Sequence, residues 1–423
     1  MSNPRISLIH PTGNPNSQQA AIALSEIGLL QNVITTIAYH PNRVNSLSFS
    51  LSLLPHPIRT LVERELDRRT WTLPSNVPLH IYPWTETLRL ALMRTGLYRR
   101  LGLVEQRLID WVYASLDRHV AQHYLQDIDA IYAYEDGAAT TFHTAKQQGI
   151  FCIYELPILF YRLSQAIQAE ELQRFPELAF GLQATKEPTW KLARKEQEIQ
   201  LADHIFVPSS IVKKSLLDFG VKTEKVSVIP YGTPVDYFHP QPKTDNCFRA
   251  LFLGREGPRK GVHYLLQAWQ ELRLPQAELL LIGIKNIPQV WIEQYKDDFR
   301  YIPSVPHSSL NAYYSTASVF VFPSLVEGLA LVLLEAMACG VPIITTYNSG
   351  GSDIITDGVE GFIVPIRDVE VLKEKLEWCY RHPTQLADMG RAARRKAEEL
   401  TWGLYRQKLA SKVQELFKNR TAG

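Results

Sequence analysis

Residues 319–345, VFVFPSLVEGLALVLLEAMACGVPIIT, restrict the possible folds of this chain more than any other stretch. The run Val319 to Phe322 is apolar and rich in β-branched and aromatic residues, which suits a short buried strand. Pro323 and Ser324 stop it. From 329 to 339 the residues are strong helix formers, with Ala, Leu and Met at helical spacing. Gly340 stands where a helix closes, and Val341-Pro342 opens a second apolar strand. A strand, a loop, a helix and another strand in so short a stretch make a unit of an α/β sheet.

Two carboxylates interrupt this apolar unit: Glu327 at the mouth of the helix and Glu335 within it. Burying an unpaired carboxylate is costly, so such groups normally have partners. A helix N-terminus presents free N–H groups and a positive dipole end, which suits a phosphate. Glu335 follows Leu329 by six residues, roughly 9 Å along a helix axis. That is about the distance from a phosphate to a sugar hydroxyl in a nucleotide. Either glutamate alone also reads as a solvated side chain on an amphipathic helix.

The pair is more specific. FPSLVEGLALVLLEAMACGVPII resembles the E-x7-E signature of retaining GT-B glycosyltransferases of family 4, the glycosyl transferases group 1, with Glu327 and Glu335 as its acids. The resemblance covers most of the C-terminal half. It implies an α/β chain of the GT-B type, with two Rossmann-like domains facing across a cleft.

The length of 423 residues agrees with two domains of similar size. The expected division is an N-terminal acceptor-side domain over 1–240 and a donor domain over 241–401, with the helix from 402 to 423 returning to the first. Polar residues from 241 to 246 form the linker. The net charge of +2 gives no argument for nucleic acid, and no RNP, zinc-knuckle or basic-tail signature is present. The four cysteines are scattered without a C-x-x-C pair, so they read as small buried hydrophobes in a reducing compartment. The first residues lack a signal-peptide core, and no apolar run reaches the ~18 residues needed to span a bilayer. A cytoplasmic protein is expected.

A strand at 6–9, a loop HPTGNP, a helix and a strand at 33–38 open the chain. The loop lacks G-x-G-x-x-G, which counts against a dinucleotide dehydrogenase. Gly13 would let backbone approach a ligand, or simply form a turn. By resemblance this loop faces the donor diphosphate. Residues 59–110 hold nine Arg against six acids, including Arg64, Arg68 and Arg69 in one cluster and Arg94, Arg99 and Arg100 in another. These read as a solvated helix face, or as a weak peripheral contact with anionic membrane.

Two strands, at 128–134 and 151–154, end in acids, Glu135 and Glu155. Ligands of open α/β sheets bind beyond the carboxyl ends of strands. Many members of the resembled family carry a histidine where this chain has Glu155. That departure leaves donor sugar and acceptor open. Glu155 reads either as a carboxylate that accepts a sugar hydroxyl or assists a deprotonation, or as a capping or salt-bridged acid. Glu135 is a candidate on the acceptor side. A helix over 165–186 is expected to close over the cleft.

The second half opens with a strand at 248–253 and the loop GREGPRKG before a helix, a good place to hold an anion. Arg255 can grip phosphate oxygens bidentately and Lys260 supplies a point charge. They match the family's diphosphate-binding pair. The resemblance further implies that Glu327 holds donor-sugar hydroxyls, that Glu335 holds the ribose, that backbone at Leu329, Ala330 and Leu331 helps hold the diphosphate, and that Gly328 belongs to the donor site. It implies transfer from a nucleotide-diphosphate sugar with retention, without a cofactor or metal. The acceptor, whether glycan, lipid carrier or small metabolite, leaves no code. A sucrose-synthase or phosphorylase-like enzyme and a catalytically silent scaffold share these motifs.

Overall fold

The structure, a computed structural model, describes residues 3–38, 69–74, 76–243, 245–255, 257–284 and 288–422. Arg64 and Arg68 lie outside these residues.

Seven strands form the first sheet: β1 (Ile6–Ile9), β2 (Leu30–Thr35), β3 (Leu79–Ile81), β4 (Ala130–Tyr134), β5 (Phe151–Glu155), β6 (His204–Val207) and β7 (Val226–Val228). Their order is β3-β2-β1-β4-β5-β6-β7. Six form the second: β8 (Phe248–Leu253), β9 (Ala277–Ile282), β10 (Arg300–Ile302), β11 (Val319–Phe322), β12 (Ile343–Thr346) and β13 (Gly361–Val364), in the order β10-β9-β8-β11-β12-β13. Every pairing in the second sheet is parallel. Parallel strands are covered on both faces by their crossover helices, so they need continuous apolar runs. AIYAY of β4 and VFVF of β11 are accordingly buried at every position.

In each sheet the strand order reverses once beside its first strand, between β1 and β4 and between β8 and β11. At such a switch point the two flanking loops leave the sheet in opposite directions and open a crevice. Gly13 and Glu135 lie on the loops of the first switch point, and 254–261 and 323–330 are the loops of the second.

The chain divides into two compact units, Met1–Glu155 with Thr189–Phe206 and Arg406–Gly423, and Leu156–Pro188 with Val207–Tyr405. The end of the terminal helix Trp402–Ala422 is fastened within the first unit. There Phe417 packs on Phe151 at 5.7 Å between ring centroids, and Arg420 donates to the Gly149 carbonyl at 2.6 Å.

Three local expectations change. The helix expected over 165–186 is Tyr161–Arg174, followed by two short 3-10 turns. Pro176 keeps Phe175 out of helical backbone, at φ −136° and ψ 75°. The helix expected from 329 begins at Leu331, with Ala330 extended before it. Arg69 is not part of a solvated basic face: it is buried and donates to Glu86 at 2.5 Å.

Candidate functional site

The second switch point brings the GREGPRKG loop against the Glu327 loop. The two are joined by backbone first, since Leu325 N–H donates to the Arg259 carbonyl at 3.0 Å. Gly261, at φ +70°, passes so close to the Pro323 carbonyl that a Cβ would collide with it. Side chains then converge. Lys260 Nζ donates to Glu327 Oε1 at 2.5 Å, and Arg259 pairs with the same oxygen at 3.2 Å. Arg259 also donates to the Val326 carbonyl at 2.5 Å. Lys260 lies 4.7 Å from the centre of the Phe322 ring. Arg255 is exposed and has no ion pair among the described residues.

Burial by itself would raise the pKa of Glu327, but the charges of Arg259 and Lys260 and their hydrogen bonds outweigh it and bring the group down to about 2. Glu327 is therefore a carboxylate at neutral pH. It can accept hydrogen bonds and stabilise positive charge but has no proton to give.

The loop is also held from its other side. Glu327 N–H donates to the Asn348 carbonyl at 3.1 Å, and Asn348 Nδ2 donates to the Leu325 carbonyl at 2.8 Å. Ala330 N–H donates to the Ser349 carbonyl at 3.2 Å. The N–H of Ala330, a candidate for the diphosphate, is engaged by this contact. Leu331 and Val332, the first helical residues, have N–H groups that no intrahelical carbonyl takes. Gly328 pairs with Ile158 in an antiparallel bridge, and its carbonyl accepts from Ser209 Oγ at 2.6 Å. A Cβ at Gly328 would run into the Pro157 carbonyl oxygen, so glycine is a steric requirement there.

Glu335 is buried four residues into the helix. Tyr314 donates to its Oε2 at 2.8 Å, and His307 Nε2 lies 3.4 Å from Oε1. His307 stacks on Tyr237 at 5.5 Å between ring centroids. Its hydrogen bond to Glu335 raises the imidazole pKa, against a smaller opposing effect of burial.

The other expected residues lie in the first unit. Gly13 has φ +67°, and the Trp71 indole fills the space where its Cβ would stand. A side chain at this position would collide with the tryptophan. His10 Nδ1 accepts from Gly13 N–H at 2.8 Å. Burial lowers its pKa to about 3, so the ring is neutral and carries its proton on Nε2. Glu135 pairs with Lys195 at 3.2 Å. Beside it Lys191 pairs with Asp110 at 2.8 Å and Asp136 at 3.0 Å. Glu155 is buried, with the Tyr132 hydroxyl donating to it at 2.6 Å.

Arg255, Lys260, Glu327, Gly328, Leu329, Ala330, Leu331 and Glu335 thus share one unit, and Gly13, Glu135 and Glu155 share the other. Sequence reasoning missed Arg259, Tyr314, His307, Asn348 and Ser209. Arg259 had a signal, being adjacent to Lys260 in a basic glycine loop. The others had none, since their partners are distant in the chain.

Residues 236–396 match the family described as Glycosyl transferases group 1. Among curated relatives, the D-inositol 3-phosphate glycosyltransferase of Kribbella flavida is 27% identical over 52% of this chain and 58% of its own length. The chain thus spans little more than half of that relative. Among solved structures, a sucrose-phosphate synthase from Thermosynechococcus elongatus superimposes with a TM-score of 0.62 at 20% identity, covering 99% of this chain and 100% of that one. Anabaena HepE in complex with UDP gives a TM-score of 0.64 at 16% identity, covering 97% and 100%. These likenesses identify an α/β, two-domain GT-B fold.

Proposed function

From the premise that residues 236–396 belong to the glycosyl transferases group 1 and that the chain has the GT-B fold, we propose that the protein moves a sugar from a nucleotide-diphosphate sugar to an acceptor hydroxyl. The anomeric configuration is retained and no metal takes part. One observation carries this reading: two cations and an ionised carboxylate converge where the loops after β8 and β11 meet. The UDP held by the similar HepE structure supports a nucleotide donor.

In this reading Arg255 and Lys260 neutralise the diphosphate as it leaves, the part a metal ion plays elsewhere. The N–H groups of Leu331 and Val332 add the helix end. Glu335, oriented by Tyr314, accepts ribose hydroxyls, and Glu327 holds the sugar and the positive charge that develops on it. With Glu327 ionised throughout, the acceptor proton goes to the departing phosphate on the same face. Glu155 orients Tyr132 and the end of β5 and transfers no proton. The same reading places the 1–240 segment on the acceptor side and the protein in the cytoplasm.

Calorimetry with UDP-, GDP- and ADP-sugars tests the donor. One nucleotide class is expected to bind the wild type at micromolar strength in the presence of a chelator. Replacing Arg255 and Lys260 together by Ala should weaken it on the order of a hundredfold, since each charge-assisted contact contributes about 1.5–3 kcal/mol. Binding of none of these donors by the folded protein excludes the reading in favour of a silent member. Product analysis with and without phosphate separates a phosphorylase.

We also infer a weak peripheral membrane contact through the first unit, a reading supported by its exposed apolar residues. No helix among the described residues is long and apolar enough to cross a bilayer. Along the helix Trp84–Thr95, however, Trp84 is 75% exposed and Leu88, one turn on, 50% exposed. Leu101 and Val104 are exposed as well, and residues 87–107 hold five Arg against one Glu. Exposed Trp and Leu beside arginines suit the surface of an anionic bilayer. Flotation with phosphatidylglycerol vesicles should recover the wild type at low salt, and Trp84→Ala/Leu88→Ser should abolish recovery. Equal recovery on neutral phosphatidylcholine vesicles, or none on either, removes this contact from the reading.

A further inference from the structure

The three basic side chains of the loop after β8 are held in three different ways. Arg255 is exposed and has no ion pair among the described residues. Lys260 has one polar partner among the described residues, Glu327 Oε1, and otherwise rests on the Phe322 ring. Its ammonium is a compact charge on a flexible stem and can be transferred to another anion by rotating that stem. Arg259 is fixed at both ends. Its carbonyl accepts from Leu325 N–H at 3.0 Å and from Ser324 Oγ at 3.5 Å. Its guanidinium donates to the Val326 carbonyl at 2.5 Å while pairing with Glu327 at 3.2 Å. Moving Arg259 therefore breaks the junction between two loops, whereas moving Lys260 breaks one ion pair.

Both cations reach Oε1 of Glu327. A diphosphate arriving at the helix end competes with Glu327 for Lys260 and not for Arg259. If both cations left together, Glu327 would be a largely buried carboxylate without a partner, and it would take up a proton or turn away.

We propose that Arg259 is a positioning residue for sugar transfer: it stays on Glu327 when Lys260 moves to the donor diphosphate, and so keeps the carboxylate aimed at the sugar. The assignment rests on the donor-site reading above and deepens it by dividing the loop's cations. Arg255 and Lys260 hold the diphosphate, and Arg259 holds the carboxylate. The charged groups facing Glu327 among the described residues are Arg259 and Lys260, both on this loop, while the segment after β12 meets it through the Asn348 carbonyl. Removing Arg259 thus leaves Lys260 alone to keep Glu327 ionised, and donor binding takes that away too. The acid side of the sugar contribution should then become visible.

The test compares UDP, GDP and ADP with their glucose conjugates by calorimetry, on wild type, Arg259→Ala, Arg259→Lys and Lys260→Ala, with thermal melts to verify folding. Lys260→Ala should weaken the free nucleoside diphosphate by about tenfold or more. Arg259→Ala should leave that affinity within about threefold but lower the ratio of sugar-nucleotide to nucleotide affinity by about tenfold. In wild type the ratio should be flat between about pH 4 and pH 8, and in Arg259→Ala it should fall toward the acid end of that range as Glu327 protonates. Arg259→Lys should restore the flat profile, a rescue that loop packing alone does not predict. Two results overturn the assignment: Arg259→Ala weakening the free diphosphate as much as Lys260→Ala, which makes Arg259 a phosphate ligand, or leaving ratio and profile unchanged. Should Arg259→Ala fail to fold, Arg259→Lys decides, a wild-type ratio supporting charge positioning and a collapsed ratio at every pH refuting it. Absence of nucleotide binding by wild type fails the donor reading itself, a different outcome from either.

Discussion

Glutamine in place of Glu327 is expected to lower sugar transfer by roughly two to three orders of magnitude, the range for removing a preorganised electrostatic group. The substitution is nearly isosteric, so the loop junction made by Arg259 with Leu325 and Val326 remains. What disappears is the negative charge beside the donor sugar, together with the strong acceptor for its hydroxyls. Lys260 is released at the same time, since its polar partner among the described residues is Glu327. Affinity for the free nucleoside diphosphate should therefore stay the same or rise while turnover collapses. That combination separates a transfer defect from a damaged donor site, and it is read by nucleotide release alongside calorimetry. Turnover within tenfold of wild type removes Glu327 from the mechanism. The pH dependence has a definite sign. Glu327 titrates near 2 in the fold and in the ordinary carboxylate range when unfolded. Its contribution to stability is complete above that ordinary range and is lost as pH falls toward 2. The wild-type rate should show no acid limb from this group above about pH 4.

The largest stability effect is expected from Glu171→Ala, at about 3–5 kcal/mol, the cost of leaving one side of a buried ionic network unpaired. Glu171, on the helix Tyr161–Arg174, is fully buried within the second unit. It accepts from His263 at 2.6 Å, Tyr264 at 2.8 Å and Arg367 at 2.7 Å. Alanine leaves His263 and Tyr264 without this acceptor, while Arg367 keeps Glu170 and the Ile167 carbonyl. His263 and Tyr264 form the first turn of the helix Val262–Leu272, directly after the GREGPRKG loop. The same change should therefore loosen the Lys260 end of the site. Urea unfolding should show the second unit melting earlier than the first, and an unchanged profile contradicts the account. Burial raises the Glu171 pKa, but its bonds to His263 and Arg367 outweigh this and hold it low. Its stabilisation is present above the ordinary carboxylate range and fades as pH falls. His263 is shifted down by burial, against the pull of Glu171, so it resists protonation in the fold while the unfolded chain takes up a proton below about 6.5. Both effects make this region acid-labile.

Much of the second sheet could be read directly from the chain. The strand Val319–Phe322 falls where the apolar run ends at Pro323. The adjoining helix starts two residues later than its helix-forming residues suggest, because Ala330 N–H is taken by Ser349, a residue from beyond the next strand. Gly13 shows the same limit differently. A glycine was legible as a turn or a close approach, and the approaching group is Trp71. Glu155 was legible as the end of a buried strand, but its partner Tyr132 comes from the preceding strand, in register two residues away from the pairing of Tyr134 with Glu155.

The sequence by itself determined the succession of strands and helices, the parallel α/β class and the two acids of the E-x7-E pattern. These depend on local properties: apolar period, helix propensity, and proline or glycine at the ends. Only the tertiary structure decided that Arg259 and Lys260 meet Val326 and Glu327, each contact spanning 67 residues. That meeting requires β8 and β11 to be neighbours although β9 and β10 intervene in the chain. Strand order is settled by how all the elements bury their surfaces together, and no window of local sequence contains that information.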